Sequence, residues 1–243
     1  MVTGEPDRGC ATATPLNVTY RIDRISKYLS GHWLDFGCAD GGYDAEMLAH
    51  GLEAVTGVDV EEPRIADAKR RNLPNAQYTK FDGLTLPFED ETFDGTFMNE
   101  VFEHVIDERR ALAEIHRVLK PGGVLVLISP NRWFPIEGHY ITLGSKEIGP
   151  APLIPWLPER ATRAVTSARN YWPSQLEGHV REAGFAINEI GFIWPVLETF
   201  PWLPKKGIDW YQNNFRKWDQ LPGLRKLGVS TMVVGVKPAH RSE

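Results

Sequence analysis

Three aspartates close short strand-like stretches: Asp35 after the apolar Trp33-Leu34, Asp59 after the apolar run 53–58, and Asp82 after residues 76–81. The first is followed by a turn rich in glycine, Gly37-Cys38-Ala39-Asp40-Gly41-Gly42. Carboxylates are pure acceptors, so one of them can take hydrogen bonds from two neighbouring hydroxyls, and several together favour a cation. The glycines let the turn adopt backbone angles closed to other residues and let a ligand come up against the main chain. Proton chemistry is offered by His104 and His139, since an imidazole titrates near neutral pH.

These groups need elements to hold them. Residues 33–36 read as a strand and residues 43–50 as a helix closed by Gly51. A second strand spans 53–59, a helix follows at 61–71, and a third strand spans 76–81. Glu61 and Glu62 in the first turn and Arg70 and Arg71 near the end suit the dipole of that helix. A fourth strand runs through Asn99, Asp107 caps a helix carrying Leu112, Ile115, Val118 and Leu119, and Lys120-Pro121-Gly122-Gly123 stops it before a fifth strand at 124–129. Upstream, Tyr20, Ile22, Ile25, Tyr28 and Leu29 recur at helical spacing over 18–29, which predicts a helix packed over the edge of the site. Strands alternating with helices predict a doubly wound α/β fold, whose ligands lie beyond the carboxyl ends of the strands.

Two cofactors fit such a turn. Gly37-x-Ala39-x-x-Gly42 approximates a dinucleotide fingerprint, whose pyrophosphate would sit on the helix N-terminus. Asp35 and Asp40 would repel it there. S-adenosylmethionine (SAM) carries a sulfonium and an ammonium instead, and the acids favour both. Asp59 lies 22 residues beyond Gly37, the spacing at which an acid accepts from ribose hydroxyls. A strand–turn–helix without any ligand is the plain alternative.

The window 35–41 resembles motif I of the class I SAM-dependent methyltransferases, Asp/Glu-x-Gly-x-Gly-x-Gly, with Ala39 in the middle glycine position. Further on, Asp82-Gly83, Leu86-Pro87-Phe88, Phe93-Asp94, Glu100-x-x-Glu103-His104, Leu119-Lys120-Pro121-Gly122-Gly123 and Ser129-Pro130-Asn131 resemble the small-molecule branch of that family, which includes ubiquinone and menaquinone methylases. The resemblance implies a Rossmann-like seven-stranded sheet, order 3-2-1-4-5-7-6, with the last strand antiparallel. It implies SAM as cofactor, with Asp35 near the methionine moiety and Gly37, Cys38, Ala39 and Gly41 passing beneath the cofactor. It places Asp59 at the ribose, Asp82 and Gly83 at the adenine, and Asn99 and Glu100 closing the site, with Val60 also among the cofactor-binding residues. Some relatives use a Glu-x-x-Glu-His set to hold a metal and others do not, so Glu100, Glu103 and His104 stay a secondary option. His104 is preferred over His139 as a base; a structural role for His104 stands beside that reading.

The chain has 243 residues, 42% of them hydrophobic and 24% charged, and a net charge of −5. That size and composition predict one large domain or one domain with an insertion. Residues 1–130 hold 13 basic and 22 acidic side chains, and residues 131–243 hold 14 and 10. Seven of eight tryptophans fall in the second part. The expected organisation is an arm and helix at 1–30, a SAM-binding core at 31–131, a lid at 132–172, and completion of the sheet at 173–243 with a second aromatic insertion at 195–227. Within the lid, residues 158–171 predict one helix; a helix at 174–183 and strands at 185–194 and 230–236 follow. Aromatic and net-basic insertions on the acceptor side point to an apolar or anionic small-molecule acceptor, methylated at oxygen. Tryptophan with lysine and arginine also suits peripheral contact with a membrane. No dense basic stripe points to nucleic acid. Cys10 and Cys38 offer no disulfide framework, and no leader pattern or apolar span is evident, so a cytoplasmic protein is expected. Two other readings stay open: a NAD(P)-dependent oxidoreductase and a non-catalytic SAM-binding partner subunit.

Overall fold

A computed structural model describes residues 14–137, 141–143, 146–148, 151–162, 165–166, 168–195, 204–218 and 221–239. His139, Cys10 and Trp202 lie outside the described residues.

Seven strands form one sheet: β1 (His32–Phe36), β2 (Ala54–Asp59), β3 (Ala76–Lys80), β4 (Phe93–Asn99), β5 (Leu119–Pro130), β6 (Ala186–Ile193) and β7 (Ser230–Val236). Their order is β3-β2-β1-β4-β5-β7-β6. The first five are parallel, and β7 enters antiparallel between β5 and β6. The order reverses between β1 and β4, which sets the ligand crevice at their carboxyl ends.

The strands are apolar on both sides because both faces are covered. Helices α1 (Pro15–Ile25) and α2 (Asp44–Ala49) bury Val18, Ile22, Ile25 and Met47 against Trp33, Phe97, Val126 and Met232. On the other face α4 (Glu108–Val118) and α6 (Pro173–Glu182) bury Leu112, Ile115, Leu176 and Val180 against Leu34, Met98, Leu127 and Val233. Between α2 and α4 in the chain, α3 (Glu62–Arg70) sets Ile65 and Ala68 beside Tyr78 of β3. The switch point is packed tightly: a methyl group on Gly95 would lie 2.1 Å from the indole of Trp33.

Most expected elements appear within two residues of their predicted ends. The first helix is shorter than predicted, ending at Ile25 and continuing as a 3₁₀ turn, Ser26–Tyr28. Asp107 caps α4 as expected, accepting from Arg110 N at 3.0 Å. Two expectations are corrected. The Lys120-Pro121-Gly122-Gly123 stretch belongs to β5 rather than to a stop before it, because Gly122 N donates to Lys237 O (2.8 Å) and Lys237 N to Gly123 O (2.9 Å). The helix expected over 158–171 is helical among the described residues only at α5 (Glu159–Thr162). Tyr171 instead forms a β-bridge to Asn131, held by side-chain bonds described below. The second insertion carries α7 (Lys205–Trp218), whose Phe215 is buried edge-on against Tyr20 of α1, ring centroids 5.1 Å apart. No helix among the described residues is long and apolar enough to cross a membrane.

Candidate functional site

The glycine turn is tied down from below. Gly37 N and Cys38 N both donate to Val58 O, at 2.8 and 3.0 Å, and Gly41 N donates to Cys38 O at 2.8 Å. Gly37, Ala39 and Gly41 all have left-handed backbones, with φ of +82°, +47° and +72°. For Ala39 this conformation costs about 1 kcal/mol, and Asp59 holds it there. One carboxylate oxygen of Asp59 accepts from Ala39 N (3.0 Å) and the other from Glu61 N (2.9 Å). Asp59 therefore joins the turn, the end of β2 and the start of α3. Cys38 packs its sulfur beneath the turn against Gly57. Burial, then the neighbouring Asp35, pushes its thiol far above the ordinary range, so it is inert as a nucleophile.

A second layer of acid lies under the turn. Asp35 is buried and Asp44 is wholly buried, its carboxylate set against Asp35 and Tyr78. The Tyr78 hydroxyl lies beside them: a Cβ on Gly41 would sit 2.8 Å from it and 3.2 Å from Asp44 Oδ2. Burial raises the pKa of Asp35 well above the usual carboxylate range, with the Asp44 charge as the next cause; burial also raises that of Asp44. Raised acids favour the fold while protonated. This contribution is complete below the unfolded value near pH 3.9 and is lost as pH rises through the raised folded values. We expect Asp44→Asn to raise the melting temperature more at pH 8 than at pH 5. Equal gains at both values would contradict the buried-pair account. Asp40, read in the sequence as repelling a pyrophosphate, is instead paired with the Arg71 guanidinium. That leaves three acids at the turn, with Asp35 and Asp44 buried beneath it and Asp59 at its flank.

Asp82 is exposed and caps its own loop, one oxygen accepting from Leu84 N (2.8 Å) and Thr85 N (2.7 Å). These two bonds, Thr85 first, hold its pKa below the usual value. Gly83, with φ of +79°, approaches Val60, whose side chain is half exposed. Val60, Asp82 and Gly83 thus line one edge beyond β2 and β3.

The segment after β4 packs directly on the turn: a Cβ on Gly37 would lie 2.4 Å from Val101. Here the structure adds a residue missed in the sequence. Arg21 of α1 is 1% exposed. It donates to Asn17 Oδ1 (3.0 Å), Asn99 Oδ1 (2.6 Å) and Glu100 Oε1 (2.8 Å), and more weakly to Ser230 Oγ (3.4 Å). Glu100, itself left-handed at φ +55°, also accepts from Ser230 Oγ. The available signal was Arg21 four residues after Asn17 on the apolar side of α1, alongside Val18, Ile22 and Ile25.

Glu103 is buried and accepts from Ser129 Oγ at 2.9 Å. His104, about one-third exposed, places Nε2 4.0 Å from Glu103 Oε1. Glu100 faces Arg21 while Glu103 faces Ser129, and among the described residues no three acidic, His or Cys side chains are arranged to hold a metal.

Beyond β5, Asn131 donates to Lys226 O (2.8 Å) and Gly228 O (2.7 Å), fixing where the chain leaves the sheet. Trp133 meets Trp172 edge-to-face at 5.0 Å, and Arg132 lies 5.2 Å over the Trp172 ring. The Tyr171 hydroxyl donates to Glu108 Oε1 (2.5 Å) and Arg169 Nη1 to Val105 O (2.8 Å). These anchors outweigh the helical spacing read over 158–171.

A family model described as a methyltransferase domain matches residues 34–127. A demethylmenaquinone methyltransferase of Symbiobacterium thermophilum is 33% identical over 175 residues, 63% of this chain and 68% of that protein. The chain belongs to the class I SAM-dependent methyltransferases. Another relative of this methyltransferase, the O-methyltransferase cnsE of Penicillium expansum, is 29% identical over 172 residues, 69% of this chain. This chain spans 56% of that relative's length. The SAM-dependent methyltransferase structure from Mesorhizobium loti superposes with a TM-score of 0.62 at 18% identity, covering 90% of this chain and 98% of that one, and shows the same fold. The methyltransferase cofactor is SAM, and the residues fit it. Each Asp59 oxygen has one backbone donor and keeps lone-pair capacity. The acids under the turn suit a cation, and Arg71 cancels the exposed acid beside them.

Proposed function

We propose that this chain transfers the methyl group of SAM to a small-molecule acceptor, at an oxygen. The observation that carries this reading is the acid-floored turn: Asp35 and Asp44 beneath it, Asp59 at its flank and Val60 with Gly83 alongside. In this reading Asp35 faces the methionine moiety, Gly37, Cys38, Ala39 and Gly41 run beneath the cofactor, and Asp59 accepts from the ribose hydroxyls. Val60, Asp82 and Gly83 border the adenine, and Asn99 and Glu100, held by Arg21, close the site. SAM brings an already activated methyl group. The chain's own work is to orient the acceptor, exclude water and take up a proton.

His104 is the base we assign to that proton. It is partly exposed beside the segment that closes the turn, and the buried Glu103 stands behind it to stabilise the imidazolium. Oxygen is supported by that base and by the name of the Penicillium relative. The test is release of S-adenosylhomocysteine (SAH) from SAM with a panel of phenols, aliphatic alcohols and amines. Turnover restricted to hydroxyl acceptors, reduced about 10²-fold in His104→Gln, is expected. Amine-only turnover, or SAM bound without turnover of any class, would overturn it. Calorimetry should show SAH binding and no NADH binding.

The lid gives a separable prediction. Trp133 and Trp156 are each about half exposed, so they contribute little to the core. Changing both to Ala should leave the melting temperature and SAH affinity nearly unchanged while lowering acceptor turnover at least tenfold. A large loss of stability would show them to be core instead.

A further inference from the structure

A cavity of about 170 Å³ opens between the segment that follows β5 and helices α4 and α6, walled by Glu108, Arg132, Arg169, Tyr171, Gln175 and His179. Its position follows from the chain. Arg132 is the second residue beyond β5, and Arg169 binds the carbonyl of Val105, the residue after His104. The cavity therefore lies at the carboxyl edge of β4 and β5, on the same edge of the sheet as the glycine turn and Asp59.

Its charges do not balance. Glu108 is the acid among its lining residues. Arg169, 3.3 Å away, and the Tyr171 hydroxyl already use Glu108, and His179 Nε2 stands 3.9 Å from its other oxygen. Arg132 has no carboxylate partner among the described residues. Its Nη2 donates to the carbonyl of Leu157 at 2.5 Å and its plane lies over Trp172. Its Nε–H is buried with no acceptor among the described residues. A buried donor without a partner is costly, and a guanidinium fork matches the two oxygens of an oxyanion. Gln175 spends its carbonyl on Trp172 N (3.0 Å), which leaves the amide N–H groups as its remaining hydrogen-bonding capacity.

We propose that this cavity is an oxyanion subsite, in which Arg132, seconded by Gln175 and His179, binds a carboxylate or phosphate group of the acceptor. The proposal rests on the acceptor reading above and narrows it to acidic small molecules. Stacking on Trp172 keeps the guanidinium in place before the ligand arrives, so little side-chain entropy is lost on binding.

The experiment uses the full chain saturated with SAH and three probes of similar size: benzoate, phenyl phosphate and neutral benzyl alcohol. Calorimetry should give at least tenfold tighter binding for one or both anions than for benzyl alcohol, and the preferred anion assigns carboxylate or phosphate. Arg132→Gln should remove that preference and leave SAH affinity within twofold. Equal or absent binding of all three probes, or an anion preference that survives Arg132→Gln, would overturn the subsite. Should that variant fail to fold, a structure of the wild-type chain with phenyl phosphate decides. Phosphate within hydrogen-bond distance of Arg132 Nε supports the assignment, and phosphate elsewhere or nowhere removes it. The SAH titration in the same samples separates the two proposals: anion binding without SAH binding would leave the subsite standing and the methyl-transfer reading fallen.

Discussion

Asp59→Ala is expected to weaken SAH binding between about tenfold and a hundredfold, on the order of 1.5–3 kcal/mol for lost charge-assisted hydrogen bonds. Two causes act together. In the proposed function the ribose loses its acceptor, and Ala39 N and Glu61 N lose the carboxylate that holds the turn against the start of α3. Because Ala39 sits at φ +47°, the loosened turn relaxes toward backbone angles that alanine prefers. Asp59→Asn keeps the shape and one acceptor oxygen and should fall between wild type and Ala. Ala39→Gly in the Asp59→Ala background separates the causes, since glycine takes the left-handed conformation without strain. Recovery of part of the affinity is expected. Calorimetry that finds wild-type affinity in Asp59→Ala would remove Asp59 from the cofactor site altogether.

Arg21→Met should be the most destabilising single change discussed here. Its partner Glu100 has a side chain 8% exposed, and that of Arg21 is 2% exposed. Removing one member of a buried pair leaves the other charge uncompensated, at a cost of roughly 3–5 kcal/mol. In a domain of this size that lowers the melting temperature by on the order of 10 °C. The double variant Arg21→Met/Glu100→Gln removes both charges and should regain most of the loss, because neutral groups of similar shape replace the pair. Additive losses in the double variant, seen in thermal melts, would mean that Arg21 stabilises through packing rather than through Glu100. Cofactor affinity should fall in Arg21→Met as well, since Asn99 and Glu100 lose their common anchor.

The sheet was legible because its information is local. Short apolar runs ending in acids mark β1 and β2, and Asp107 marks the start of α4 from four consecutive residues. The position of Asp59 at the end of β2, beside the glycine turn, was legible for the same reason, from its spacing from Gly37. The remainder depended on partners distant in the chain. Arg21 reaches Asn99, 78 residues on, and Ser230, 209 residues on, and no periodicity announces such bonds. Asp40 reads as a bare acid until Arg71 arrives from 31 residues away. Asp44, in the first turn of α2, was not legible in the sequence because its burial beside Asp35 depends on how that helix docks and not on its own neighbours in the chain. The spacing over 158–171 satisfies a helix locally, but Arg169 and Tyr171 find stronger anchors at Val105 and Glu108.

The place of β7 bears on the order of events during synthesis. The strand is the last of the seven to be made, yet it lies between β5 and β6. While residues 186–229 are emerging from the ribosome, β6 has no neighbour to pair with and β5 presents an open edge. Contacts of such long sequence separation form slowly, and an unpaired apolar edge invites association with other chains. Ser230, the residue that opens β7, is also a partner of Arg21 and Glu100. The nascent chain can therefore assemble the glycine turn early, but the clasp over it closes only when the final strand slides into its slot.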